Sequence, residues 1–156
     1  MFARKKKKPA SDGAEGAKKA AISLLAYKEN TERELYDKLT DRGYSDEEAS
    51  EALNFVKARR YLDEARYFRR FVEGCACRRY YGKKRILQEA HLKKFSPETL
   101  NTANDLFEEY DFASLCAEAL VKLDKGEREK TVQALLRRGY GTAEIRKAFD
   151  IVKGEV

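Results

Sequence analysis

The chain has 156 residues, with 33 Lys and Arg against 27 Asp and Glu and a formal net charge of +6. Hydrophobic residues make up 42%, enough to fold, while 38% charged residues are many for one round globule and suit small, surface-rich units. Only two prolines, no tryptophan and abundant Ala, Leu, Glu, Lys and Arg argue against a β architecture and for helix throughout.

The chain opens on a basic run, residues 4–8, that leads into Pro9, Ala10, Ser11, Asp12 and Gly13 rather than into an apolar leader. No stretch approaches the roughly 18 apolar residues of a membrane span. With three cysteines, Cys75, Cys77 and Cys116, an odd number, the chain is expected in a reducing, cytoplasmic setting. A monomer is expected. Residues 1–16, basic and then small and polar, are expected to form a disordered arm whose lysines add unspecific affinity for polyanions.

From residue 17 onward the pattern is helical. A first helix is expected over about 17–28, with Ile22, Leu25 and Ala26 on its apolar side. Thr31 with Glu34, and Ser45 with Glu48, have the capping-box spacing that opens two further helices. A helix from about Asp63 places Phe68, Phe71, Val72 and Cys75 on one stripe. Another from about Asp111 places Leu115, Ala119 and Leu123 along one side.

Three segments superpose without a gap: residues 35–56, 86–107 and 131–152. Each centres on an aromatic, Tyr44, Phe95 or Tyr140, at spacings of 51 and 45 residues. Five residues before it stand Leu39, Ala90 and Leu135; eight after it stand Ala52, Ala103 and Ala148. Gly43 and Gly139 precede two of the aromatics, where a left-handed residue ends a helix. Lys94 takes that place in the middle segment, and a deviation of the turn is expected there. Ser96 with Pro97 and, in the last segment, Thr142 read as the caps of the following helices. The fold is therefore expected to be all-α, three tandem three-helix repeats over residues 17–60, 61–110 and 111–156 forming an elongated, curved body.

Charge divides the repeats. Residues 20–56 carry a net −5, residues 57–94 a net +9 and residues 95–156 a net −3. A cation-dense centre between acidic flanks suits a charged, non-uniform partner. The candidate binding residues are Arg59, Arg60, Arg66, Arg69, Arg70, Arg78, Arg79, Lys83, Lys84, Arg85, Lys93 and Lys94. A solvated helix face is the ordinary fate of such runs, but this excess is greater than solubility needs. Its partner is either phosphate or an acidic protein surface. Tyr80 and Tyr81 suit base stacking and core packing equally.

Nothing points to catalysis, a cofactor or a metal. His91 is the single histidine. Gly82, Lys83, Lys84 and Arg85 lack the glycine-rich approach and the Ser or Thr of a phosphate loop. Cys75 and Cys77, two apart on a helix, point to different sides and cannot share an ion there.

The run Leu35, Tyr36, Asp37, Lys38, Leu39, Thr40, Asp41, Arg42, Gly43 and Tyr44 resembles the helix-and-turn signature of the RecX family. So do Tyr61, Leu62, Asp63 and Glu64, the Arg78–Arg79 pair, and Gly82 through Arg85 and Ile86. Glu64 stands where that family favours Asp, and Lys94 where it favours Gly. The resemblance, over about residues 17–153, implies a regulator of the RecA recombinase that lodges in the groove of the RecA–single-stranded DNA filament. It further implies inhibition of ATPase, strand exchange and coprotease activity. The alternative is a stand-alone helical nucleic-acid-binding protein, with direct DNA contact through the basic centre.

Overall fold

The structure, a computed structural model, describes residues 12–154. Those residues form ten α-helices and one π-helical turn, with no strand. The basic run at residues 4–8 lies outside them. The chain divides into two compact units, Met1–Tyr67 with Lys93–Ser96, and Phe68–Leu92 with Pro97–Val156.

The first unit holds α1 (Gly13–Tyr27), α2 (Glu32–Asp41), α3 (Asp46–Ala58) and the start of α4 (Glu64–Glu73). Both expected capping boxes are present. Thr31 Oγ1 accepts from the Glu34 N–H at 3.1 Å, and Ser45 Oγ from the Glu48 N–H at 3.1 Å. The core is built of Ala17, Ala21, Leu35, Leu39, Tyr44, Ala49, Ala52, Val56 and Leu62. The buried side of α1 is thus Ala17 and Ala21, with Ala20, Leu24 and Leu25 partly covered; Ile22 and Ala26, expected inside, are exposed. The alanines let α1 approach its neighbours closely, which the larger Ile22 would prevent. Helix α1 also begins at Gly13, inside the stretch expected to be a disordered arm.

The second unit completes α4, continues through the π-helical turn Gly74–Arg78, and adds α5 (Lys83–Leu92), α6 (Pro97–Leu100), α7 (Ala103–Phe107), α8 (Phe112–Leu123), α9 (Arg128–Arg137) and α10 (Thr142–Lys153). Phe68, Val72 and Cys75 are buried as the α4 stripe implied, and Phe71 partly so. The middle repeat's last helix is broken into α6 and α7. Thr102 turns its N–H and its hydroxyl onto the Thr99 carbonyl, at 3.0 and 2.6 Å, and so tightens the chain out of the α-helical ladder. On α8 the buried side is Phe112, Cys116, Ala119 and Leu120. Leu115 and Leu123 are only half-buried, because Phe112 packs edge-on against Phe107 at 5.5 Å and sets the rotation of the helix.

The three repeats share one turn. Gly43, Lys94 and Gly139 have φ of 97°, 63° and 96°, and the aromatic that follows each is buried. Lys94 therefore keeps the backbone of its glycine counterparts instead of deviating. A left-handed non-glycine residue costs about 1–2 kcal/mol. Three contacts within the first unit hold it: Lys94 Nζ reaches Asp37 Oδ2 at 2.8 Å, Thr31 Oγ1 donates to the Lys93 carbonyl at 3.0 Å, and the buried Glu64 carboxylate accepts from Ser96 Oγ at 2.7 Å. Glu64 also accepts the Glu32 N–H at 3.1 Å, so one carboxylate serves the start of α2 and the turn before α6. In the last repeat the cap falls one residue earlier than expected. Gly141, not Thr142, is the N-cap, and its N–H donates to Glu144 Oε1 at 2.8 Å.

The equivalent tyrosines differ in one respect. Tyr44 donates its hydroxyl to Asp12 Oδ1 at 3.1 Å, whereas the Tyr140 hydroxyl is buried with no hydrogen-bond partner among the described residues. Tyr44→Phe is accordingly expected to lower stability by about 1 kcal/mol, while Tyr140→Phe is neutral or stabilising by up to about 1 kcal/mol. Urea unfolding of the two variants checks this, and an equal loss in both would contradict it.

Candidate functional site

The twelve candidate cations fall into both units. Arg59, Arg60, Arg66, Lys93 and Lys94 belong to the first, and Arg69, Arg70, Arg78, Arg79, Lys83, Lys84 and Arg85 to the second.

Local structure sorts them further. Five are engaged by neighbours. The Arg59 guanidinium lies 3.7 Å from the Phe55 ring centroid and Lys94 pairs with Asp37. Arg69 donates to both carboxylate oxygens of Glu109 at 3.3 Å. Lys83 stands 3.9 Å from Glu144 and 5.4 Å from the Phe112 ring centroid. Arg85 donates from Nε to Glu89 at 2.9 Å, a bond that, as the main cause, holds its guanidinium above the usual arginine range. By contrast Arg60, Arg66, Arg78, Arg79 and Lys84 are exposed and have no ion pair among the described residues. Arg70 is exposed and Lys93 half-buried.

In the second unit the cations are displayed by an unusual turn. At the end of α4 the Arg79 N–H donates to the Gly74 carbonyl at 3.1 Å, and the Tyr81 N–H to the Cys75 carbonyl at 2.8 Å. Tyr80 follows with a left-handed φ of 54°. The chain then enters α5 against the turn of the last repeat. The Gly82 N–H donates to the Arg138 carbonyl at 2.8 Å, and the Lys84 N–H to the Gly139 carbonyl at 3.3 Å. A Cβ on Gly82 would stand 2.3 Å from the Gly139 carbonyl carbon, and one on Gly139 would stand 2.4 Å from Arg85 N. Two backbones meet here without side chains between them.

Tyr80 and Tyr81 are half-buried, and cations of the same unit already lie near both rings. Lys122 Nζ is 4.5 Å from the Tyr80 centroid; the Arg85 and Arg138 guanidiniums are 4.7 and 5.4 Å from that of Tyr81. This favours packing over base stacking. It also brings Lys122 and Arg138 beside the predicted stretch, neither of them among the expected residues. A signal for Arg138 existed in the repeat itself: Arg42, Lys93 and Arg138 occupy the same place, two before the buried aromatic.

No group of three or more His, Cys, Asp or Glu among the described residues could hold a metal. Cys75 is buried and Cys77 exposed, as their helical spacing implied, and Cys116 is buried. Burial pushes the thiols of Cys75 and Cys116 up to about 11 and about 12. No helix among the described residues is long and apolar enough to cross a membrane.

Residues 17–55 match the family description of the first three-helix domain of RecX. Regulatory protein RecX of Vibrio campbellii is 32% identical over 141 residues, covering 85% of this chain and 89% of that protein. Regulatory protein RecX of Chlorobium limicola is 30% identical over 137 residues, covering 83% and 84%. Among solved structures, RecX from Lactobacillus salivarius superposes with a TM-score of 0.80 at 20% identity, covering 92% of this chain and 99% of that one. At that identity the likeness is one of fold.

Two outcomes follow from the geometry. Gly82→Ala and Gly139→Ala should each lower stability by about 2–4 kcal/mol, and their double variant by less than the sum, since both break one contact. Gly126→Ala, whose Cβ would meet nothing within 4 Å, should cost only about 1–2 kcal/mol, for its φ of 76°. Denaturant midpoints of the four variants decide this, and additive losses would argue against a shared contact. Among the three thiols, Cys77 alone should react rapidly with a disulfide reagent in the native chain. Fast release from all three before unfolding would show that Cys75 and Cys116 are not protected.

Proposed function

The chain belongs to the RecX family of regulatory proteins, and from that premise we propose that it binds a RecA recombinase, free and as the filament on single-stranded DNA. In this reading it lodges in the filament groove and lowers ATPase, strand-exchange and coprotease activity. It does so in the cytoplasm, as a monomer and without catalytic chemistry of its own.

The observation that carries the reading is the state of the middle repeat's charge. Residues 57–94 hold a net +9, and Arg60, Arg66, Arg78, Arg79 and Lys84 are exposed without an ion pair among the described residues. Cations whose charge is not used inside the protein are available to an anionic partner. The preceding repeat is acidic, net −5 over residues 20–56. A chain with opposite charge in successive repeats is suited to a surface that itself alternates, such as protomers wound on a nucleic acid. Arg69, Lys83, Arg85 and Lys94, tied to Glu109, Glu144, Glu89 and Asp37, serve folding first.

The test uses the exposed cations and spares the engaged ones. A chain carrying Arg78→Glu, Arg79→Glu and Lys84→Glu should fold like the parent. It should lose on the order of tenfold to a hundredfold in affinity for RecA filaments, measured by co-sedimentation and by inhibition of DNA-dependent ATPase. Undiminished inhibition by the folded variant would remove the basic repeat from the contact. No binding of the parent to RecA in any state would defeat the reading as a whole.

A further inference from the structure

Arg138 is a half-buried cation of the second unit. Its Nε is buried with no hydrogen-bond partner among the described residues, and it has no ion pair among them. Its guanidinium lies 5.4 Å from the Tyr81 ring centroid, and that of Arg85 lies 4.7 Å from the same point. Two like charges therefore gather around one ring, and Glu89 pairs with one of them, Arg85. The placement is rigid. The Arg138 carbonyl accepts from the Gly82 N–H and the Gly139 carbonyl from the Lys84 N–H, across a contact too close to admit a Cβ. Lys83, Lys84 and Arg85 all stand in the first turn of α5, at the positive end of the helix dipole, where cations are disfavoured. An anion meeting the guanidinium groups would offset the two like charges around the ring and the cationic helix start.

We propose that Arg85 and Arg138, gathered around Tyr81, bind a phosphodiester group of a nucleic-acid strand. The inference rests on the reading that the chain works on a nucleoprotein filament, and it names the chemical group met there. A guanidinium offers five N–H donors in a planar fork that matches phosphate oxygens. Arg85 gives one of its own to Glu89, and Arg138 gives none to another of the described residues. A phosphate chain suits the surroundings better than an isolated carboxylate does. Arg78, Arg79 and Lys84, close in sequence and exposed without an ion pair among the described residues, supply further positive charge for the neighbouring phosphates of a repeating polyanion.

The test measures binding of a fluorescent oligothymidylate to the full chain, without RecA, over a series of salt concentrations. Arg138→Gln should weaken binding about tenfold and lower the salt slope by about 0.7, the share of one phosphate contact on a single strand. Arg138→Lys should keep the slope but recover only part of the affinity, because the fork is lost. Arg146→Gln, an exposed cation on α10, should change affinity less than twofold. Should Arg138→Gln not fold, the unmodified chain answers by nuclear magnetic resonance: the Nε–Hε signals of Arg85 and Arg138 must move on titration with the oligonucleotide. Unchanged signals, parental affinity in a folded Arg138→Gln, or equal displacement by polyglutamate would each overturn the proposal. Retained RecA filament binding in those same samples would leave the reading of the preceding subsection standing, and its loss in the parent would defeat that reading separately.

Discussion

Every repeat has to reverse the chain between its second and third helices and bury an aromatic in the same step. A left-handed residue makes this possible, because it turns the chain so sharply that the next side chain falls back onto the helix just ended. Gly43 and Gly139 do this without a Cβ to obstruct them, and Lys94 does it with one. Leu39, Ala90 and Leu135, five residues before the aromatic, are fully buried in all three repeats, so the turn and the core are one arrangement. Lys94 shows how strong the constraint is. The strain of a left-handed lysine is accepted, and Asp37, Thr31 and Glu64 hold the loop in place, rather than the aromatic Phe95 being released from its site.

The same turn links folding to charge. The residue two before each aromatic is cationic, and in the last repeat this is Arg138, whose carbonyl receives the start of α5. Gly82 and Gly139 are small because their backbones touch. That contact brings Arg138 of the last repeat beside Arg85 of the middle one, which lies more than fifty residues earlier in the chain. The acidic partners Glu89, Glu109 and Glu144 then quench some of the basic stretch and leave the rest for the surface.

The α-helical class, the repeat and most of the capping were legible because they depend on neighbours in the chain. Thr31 with Glu34 and Ser45 with Glu48 need only a spacing of three, and both boxes formed. The aligned aromatics lie in like environments because the repeat carries its own core pattern. Helix faces were read less well. On α1 and α8 several apolar positions compete, and the choice among them is made by the surface each helix packs against: small alanines on α1, the Phe107–Phe112 edge contact on α8. The break between α6 and α7 arose from a side chain competing for a carbonyl, a weak local preference that packing allowed to win. The excess of positive charge over residues 57–94 was plain in the chain, whereas its division into engaged and exposed cations was not.

Linear order therefore specified the helices, their caps, the threefold repetition and the cationic middle, all of them effects of bonds between near neighbours and of composition. Three-dimensional packing assigned the helix rotations, made Lys94 adopt a glycine's conformation, separated structural from available arginines, and brought Arg138 to Tyr81. Those outcomes hinge on contacts between residues distant in the chain, such as Gly82 with Gly139, whose closeness no spacing in the sequence encodes.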